Sequence, residues 1–251
     1  MTWTAPLLTP GVQPVRRLVI FPHSGAGPGG YRPLVATGLP ADTQILGVTL
    51  PGRERRMDEP CATDVRQIVH AIAAELHGFQ AMPTVLFGHS FGAQLAAALA
   101  SACPGLCGSV VLSAHTPPAD FRAPGRSDAL DPATMLATGD TPADVLDDPH
   151  LHDWLLHLLS ADLDLNRQAA GLLQETELRV PILVLGGAHD PLVDKSALFG
   201  WQRHAAAGFR ARILPGGHFY FHQEPAAHQV RAELHTLLAD TPALAEFTDL
   251  R

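Results

Sequence analysis

Apolar positions along this chain follow two rhythms that alternate from one end to the other. Short runs dominated by apolar residues stand at 17–21, 44–50, 84–87, 109–113, 180–185 and 211–214. Runs this short and apolar are expected of strands buried on both faces. Between them apolar residues recur every three or four positions. Val65, Ile68, Val69, Ile72, Ala73 and Leu76 trace one helical face over 63–79, with Thr63 at the N-cap. An Ala- and Leu-rich helix follows Ser90 as far as 102, and two more are expected around 195–207 and 224–239. Strands alternating with helices imply an α/β fold whose mainly parallel sheet is covered on both faces. A length of 251 residues suits one such domain, 1–251.

One stretch breaks the rhythm. From Pro117-Pro118 to Glu177 no strand is legible, and apolar spacing in Leu151, Trp154, Leu155, Leu158 and Leu159 reads as helix, with a cap at Thr141-Pro142-Ala143-Asp144. About sixty residues between two strands exceed any ordinary connection, so 117–177 is expected to be an inserted helical unit. Its place in the chain puts it over the C-terminal ends of the strands, as a lid. The alternative is a helical decoration away from that edge.

Composition narrows the class. Apolar residues make up 46% and charged residues 17%, an ordinary globular balance. A net charge of −8 lacks the basic footprint of a nucleic-acid binder. Met1 to Pro6 has neither the basic start nor the apolar core of a signal peptide, and no run reaches the length of a membrane span, so a soluble cytoplasmic protein is expected. Three cysteines (Cys61, Cys103, Cys107) do not suggest a disulfide framework, and the scattered histidines do not suggest a metal site. No cofactor is expected: the Gly-rich loop 23–30 lacks the Lys-Ser/Thr of a P-loop and the spacing of a dinucleotide fingerprint.

The chemistry concentrates at Gly88-His89-Ser90-Phe91-Gly92, set between an apolar run and a helix. That is the context in which G-x-S-x-G makes a nucleophile elbow of the α/β-hydrolase type, with Ser90 raised at the end of the sheet. The two glycines let strand and helix pass close together. A base and an orienting carboxylate are then expected later in the chain, acid before base. Asp190, in Gly186-Gly-Ala-His-Asp190-Pro, follows one strand, and His218, in Pro215-Gly-Gly-His218-Phe, follows the last. Asp120 lies too far into its loop to replace Asp190, and Asp194 suits a helix cap. His222 and His228 fall in or before the last helix, His89 reads as a hydrogen-bonded core residue, and His204 as a solvated helix position. The oxyanion hole is expected to use the backbone N–H of Phe91 and that of Ser24, in the loop after the first strand.

Several further segments resemble the type II thioesterases, the stand-alone editing hydrolases associated with polyketide and non-ribosomal peptide synthases. The resemblance runs through Phe21-Pro-His-Ser-Gly-Ala-Gly27, Leu50-Pro-Gly-Arg-Glu-Arg-Arg56, the elbow, Gly139-Asp-Thr-Pro-Ala-Asp-Val-Leu146, Leu159-Ser-Ala-Asp162 and Pro215-Gly-Gly-His-Phe-Tyr-Phe221. Ser24 stands where Ala is usual, and Ser160-Ala-Asp162 replaces the more usual Arg-Ala-Asp. The resemblance implies two-step acyl transfer to water through an acyl-Ser90 enzyme. It also implies a partner, an acyl or peptidyl carrier protein bearing a phosphopantetheine arm. Arg53, Arg55, Arg56, Arg122 and Arg126 are candidates for a basic docking patch, the alternative being a solvated face paired with Glu54, Asp58 and Glu59. A small-molecule carboxylesterase or acyltransferase of the same fold, a medium-chain fatty acyl-carrier-protein thioesterase and an inactive binding module remain as alternatives.

Overall fold

The computed structural model describes residues 2–9, 11–121, 132–138 and 147–241. Its strands are β1 (Thr4–Leu8), β2 (Arg16–Phe21), β3 (Thr43–Val48), β4 (Thr84–His89), β5 (Ser109–Ser113), β6 (Ile182–Gly187) and β7 (Phe209–Leu214). They form one sheet in the order β1-β3-β2-β4-β5-β6-β7. β1 runs antiparallel to β3 and every other neighbouring pair is parallel. All the expected strands are present. β1 is an addition that the apolar pattern hid, because Pro6 interrupts it; lacking an N–H, proline is tolerated on an edge strand.

Side chains of each inner strand supply two cores in turn. Val19 and Phe21 of β2 enter the core shared with helices α2 (Val65–His77), α3 (Phe91–Ala102) and α6 (Pro149–Leu173). Leu18 and Ile20 enter the core under α1 (Arg32–Val35) and α7 (Ala226–Asp240). This is why the strands read as continuous apolar runs rather than as alternation. Helix α2 begins one residue later than a cap at Thr63 would place it. Asp64, not Thr63, is its cap: Oδ1 accepts the N–H groups of Arg66 and Gln67 at 2.8 and 3.3 Å. The helix expected around 195–207 is a 3-10 helix, Ala197–His204. His204 is not solvated: it is buried, with Nδ1 2.8 Å from the Thr176 carbonyl and the ring against Trp201.

Between β5 and β6 the described residues hold α4 (Pro118–Phe121), α5 (Pro132–Thr138) and the long α6. The C-terminal half of α6 belongs to the main core, through Leu165, Ala169 and Leu173. The expected cap at 141–144, the resembling segment 139–146 and Arg122 and Arg126 lie outside the described residues. No described helix is long and apolar enough to cross a membrane.

Candidate active site

Ser90 sits between β4 and α3 with φ 54° and ψ −127°, a conformation that non-glycine residues rarely hold. Its surroundings enforce this. The Ser90 N–H donates to the Ser113 carbonyl of the neighbouring strand at 2.7 Å, and the Ser90 carbonyl accepts from Ala93 N–H at 2.8 Å. The flanking glycines are obligatory. A Cβ on Gly88 would stand 2.2 Å from the Gly92 carbonyl oxygen, and one on Gly92 would stand 2.0 Å from the Phe21 carbonyl oxygen. The serine is therefore held half-exposed at the C-terminal edge of the sheet while the strand and helix behind it are buried.

Two loops leave the same edge beside it. Asp190 follows β6, and its Oδ1 accepts the N–H groups of Leu192 and Val193 at 2.8 and 3.1 Å. His218 follows β7, and its Nδ1 lies 2.8 Å from Asp190 Oδ2, with both side chains buried. A carboxylate only accepts, so Nδ1 carries the proton and Nε2 is left as a base. The loops interlock because Gly187 lets the Gly217 carbonyl approach to 2.1 Å from where a Cβ would stand, and because His189 N–H donates to the Gly216 carbonyl. The rivals lie elsewhere. Asp194 accepts from Ser196 N–H in a turn before the 3-10 helix, Asp120 is 3.9 Å from Arg203, and His222 stacks on Phe219.

The loop after β2 faces the elbow, and most of its amides are committed. His23 N–H donates to Tyr31 Oη at 3.2 Å, Gly25 N–H to Asp162 Oδ2 at 2.7 Å, and Ala26 N–H to the His23 carbonyl at 3.2 Å. Ser24 is buried between them. Phe91 opens α3, and first-turn N–H groups have no acceptor within a helix.

Other imidazoles stand close to His218. The His89 ring lies 4.9 Å from that of His218 and 5.9 Å from that of His23. His89, the core residue expected from sequence, has Nδ1 2.8 Å from Ser113 Oγ. Burial, reinforced by the neighbouring histidines, holds it well below its ordinary pKa. Burial first, then His218, His222 and Arg53, pushes His23 down to about 3. Among the described residues no group of three His, Cys, Asp or Glu side chains is placed to hold a metal ion.

The thioesterase domain model matches residues 16–238. The chain belongs to that family. The chain is 36% identical over 217 residues to the AMB antimetabolite synthetase AmbE of Pseudomonas aeruginosa, covering 82% of this chain and 10% of that protein. It is 32% identical to a probable cadicidin biosynthesis thioesterase of Streptomyces griseus, covering 82% of this chain and 58% of that one. The chain thus spans less than two thirds of either relative. Among solved structures it resembles the RedJ thioesterase of the prodiginine biosynthetic pathway in Streptomyces coelicolor, with TM-score 0.77 and 25% identity over 93% of this chain and 97% of that one.

Two of the candidate docking arginines are not where such a patch needs them. Arg53 is buried, with Nη1 and Nη2 on Asp162 Oδ2 and Oδ1 at 2.6 and 2.7 Å. Arg56 is buried against Glu59, its guanidinium 4.1 Å from the centre of the Trp3 ring. Arg55 alone of the three is exposed. The pairing of Arg53 with Asp162 is the feature that sequence reading missed. A signal existed: Asp162 interrupts the apolar stripe of Leu158, Leu159, Leu163 and Leu165, where an unpaired charge would not be tolerated.

Proposed function

We propose that Ser90, His218 and Asp190 form a catalytic triad that hydrolyses acyl thioesters carried on the phosphopantetheine arm of an acyl or peptidyl carrier protein, clearing misprimed or stalled acyl groups. The observation that carries the reading is the buried 2.8 Å pair of His218 and Asp190 at the edge where the strained elbow presents Ser90. With Nδ1–H held by Asp190, Nε2 takes the Ser90 Oγ proton as Oγ attacks the thioester carbonyl. The oxyanion is stabilised by the N–H groups of Phe91 and Ser24, aimed before the reaction begins. The tetrahedral intermediate expels the thiolate sulfur, which takes the proton from His218 and leaves as thiol. Water then gives its proton to Nε2 and attacks acyl-Ser90, releasing the acid and restoring the serine.

The N-terminal half of α6, with α4 and α5, forms the lid in this reading, and Leu151 is exposed on its first turn. The carrier-bound substrate is favoured by the company of the relatives, whose names place them in antimetabolite, cadicidin and prodiginine biosynthesis. The test of the triad is to trap its intermediate. Incubation with an acyl-pantetheine thioester, acid quenching and peptide mass analysis are expected to find the acyl group on the peptide containing Ser90. Accumulation elsewhere, or rapid turnover with His218→Ala, refutes the assignment.

A further inference from the structure

The geometry points to the buried Arg53–Asp162 pair as a positioning element for the oxyanion hole, which makes the hole complete only while α6 is seated. The inference rests on reading Ser24 as an oxyanion donor. Three segments far apart in sequence meet at this pair: the turn after β3, the middle of α6 and the loop after β2. Asp162 has no exposed surface and uses both oxygens. Oδ1 accepts from Arg53 Nη2 at 2.7 Å, while Oδ2 accepts from Arg53 Nη1 at 2.6 Å and from Gly25 N–H at 2.7 Å.

The peptide group bearing the Ser24 N–H is bracketed by these contacts. On one side His23 N–H is held by Tyr31 Oη at 3.2 Å, and on the other Gly25 N–H is held by Asp162. The loop also lies directly on α6. A Cβ on Gly25 would stand 3.0 Å from Leu155 Cδ1 and from Leu159 Cδ2, and the glycine holds φ +77°. From the other side the same turn that supplies Arg53 supplies Glu54, whose Oε1 accepts Gly29 N–H at 2.9 Å. The backbone around the donor is thus set by α6 and by the Arg53–Glu54 turn together.

A contribution to stability alone does not account for the pair. Desolvation offsets the attraction between buried charges, and apolar residues of similar volume in their place are often neutral or stabilising. The four leucines around Asp162 show what the helix uses where packing is all that is needed. An apolar pair would leave Gly25 N–H without its acceptor. Asp162 alone would supply that acceptor but would add a negative charge beside the point where the oxyanion develops. Arg53 cancels it. Positioning this tight matters because a displacement of the order of 1 Å costs as much as ~10²-fold in rate.

The test measures kcat, KM and the affinity of an alkyl boronic acid, which adds Ser90 Oγ to boron and mimics the tetrahedral intermediate. Asp162→Asn, Arg53→Lys and the uncharged pair Arg53→Gln with Asp162→Asn are compared with the wild type on one acyl-pantetheine thioester. Each is expected to lower kcat by roughly 10- to 100-fold, a fraction of what loss of a whole oxyanion donor costs. KM should stay nearly constant, and boronate affinity should fall in step with kcat. Where Asp162→Asn fails to fold, Arg53→Lys gives the same readout, since it keeps the charge and loses only the fork. Variants that melt earlier yet keep kcat and boronate affinity per folded molecule overturn the inference, because that is the signature of a purely structural pair. A wild type that forms no boronate adduct at Ser90 refutes the triad instead.

Discussion

At Ser90 the proposed chemistry depends on a backbone conformation that costs of the order of 1–3 kcal/mol and persists only because its neighbours over-determine it. Gly92 is the strictest of those neighbours, with the Phe21 and Pro22 carbonyl oxygens 2.0 and 2.5 Å from any added Cβ. Gly92→Ala is therefore expected to destabilise the fold by several kcal/mol or to abolish soluble expression, as backbone overlaps of this size do not relax locally. Denaturant unfolding checks it, and a near-neutral result would mean that the elbow is not built this way. Asp190→Asn tests the base from the other side. The Leu192 and Val193 N–H bonds to residue 190 hold its geometry, so the loss falls on tautomer control and is expected to approach the ~10⁴ in kcat typical of triads. At this scale the motif residues were legible in sequence because strand, turn and glycine chemistry are local. Arg53 and Asp162 were legible one by one but not as a pair, since 109 residues separate them. His204 was misread as solvated for the same reason: its burial is decided by Trp201 and by Thr176, on a different segment.

Among elements, the inner strands were the easiest to read, because burial on both faces makes them apolar without interruption. β1 was lost because it forms only one set of ladder bonds and carries Pro6 at its exposed position. The start of α2 was displaced by a residue because Thr63 and Asp64 are both good caps and only geometry chooses between them. Asp64→Ala is expected to cost about 1 kcal/mol, which for a chain of this size lowers the melting temperature by roughly 2–4 °C. Thr63→Ala should have a much smaller effect, and calorimetry on the two variants separates the caps. The insertion 117–177 was read as one helical unit over the site. Its last helix divides between two jobs, since Leu165, Ala169 and Leu173 fill the main core while Leu155 and Leu159 contact Gly25.

Across the molecule, charge burial gives stability a pH dependence. His23, His89 and His115 are buried and held neutral, with His115 pushed down to about 4 and His23 to about 3, in both cases first by burial. In the unfolded chain the same rings take up protons near 6.5. Below that pH the unfolded state binds more protons than the folded one, so stability falls as pH falls. The melting temperature is expected to be level above pH 7 and to decline steadily from 6.5 to 5, before ordinary carboxylates begin to titrate. His115→Gln should flatten that slope whatever its effect on the height of the curve. A slope unchanged in this variant would mean that His115 is not the buried neutral group described. The reaction itself is open to direct measurement. The most direct measurement is steady-state thiol release from an acyl-carrier-protein thioester and from the matched acyl-pantetheine, beside hydrolysis of a p-nitrophenyl ester of the same acid, by the wild type and by Ser90→Ala. The expected result is a kcat/KM highest for the carrier-bound thioester, with all three activities lost in Ser90→Ala. Efficient ester hydrolysis without thioester cleavage, or thioester cleavage that survives in Ser90→Ala, would contradict it.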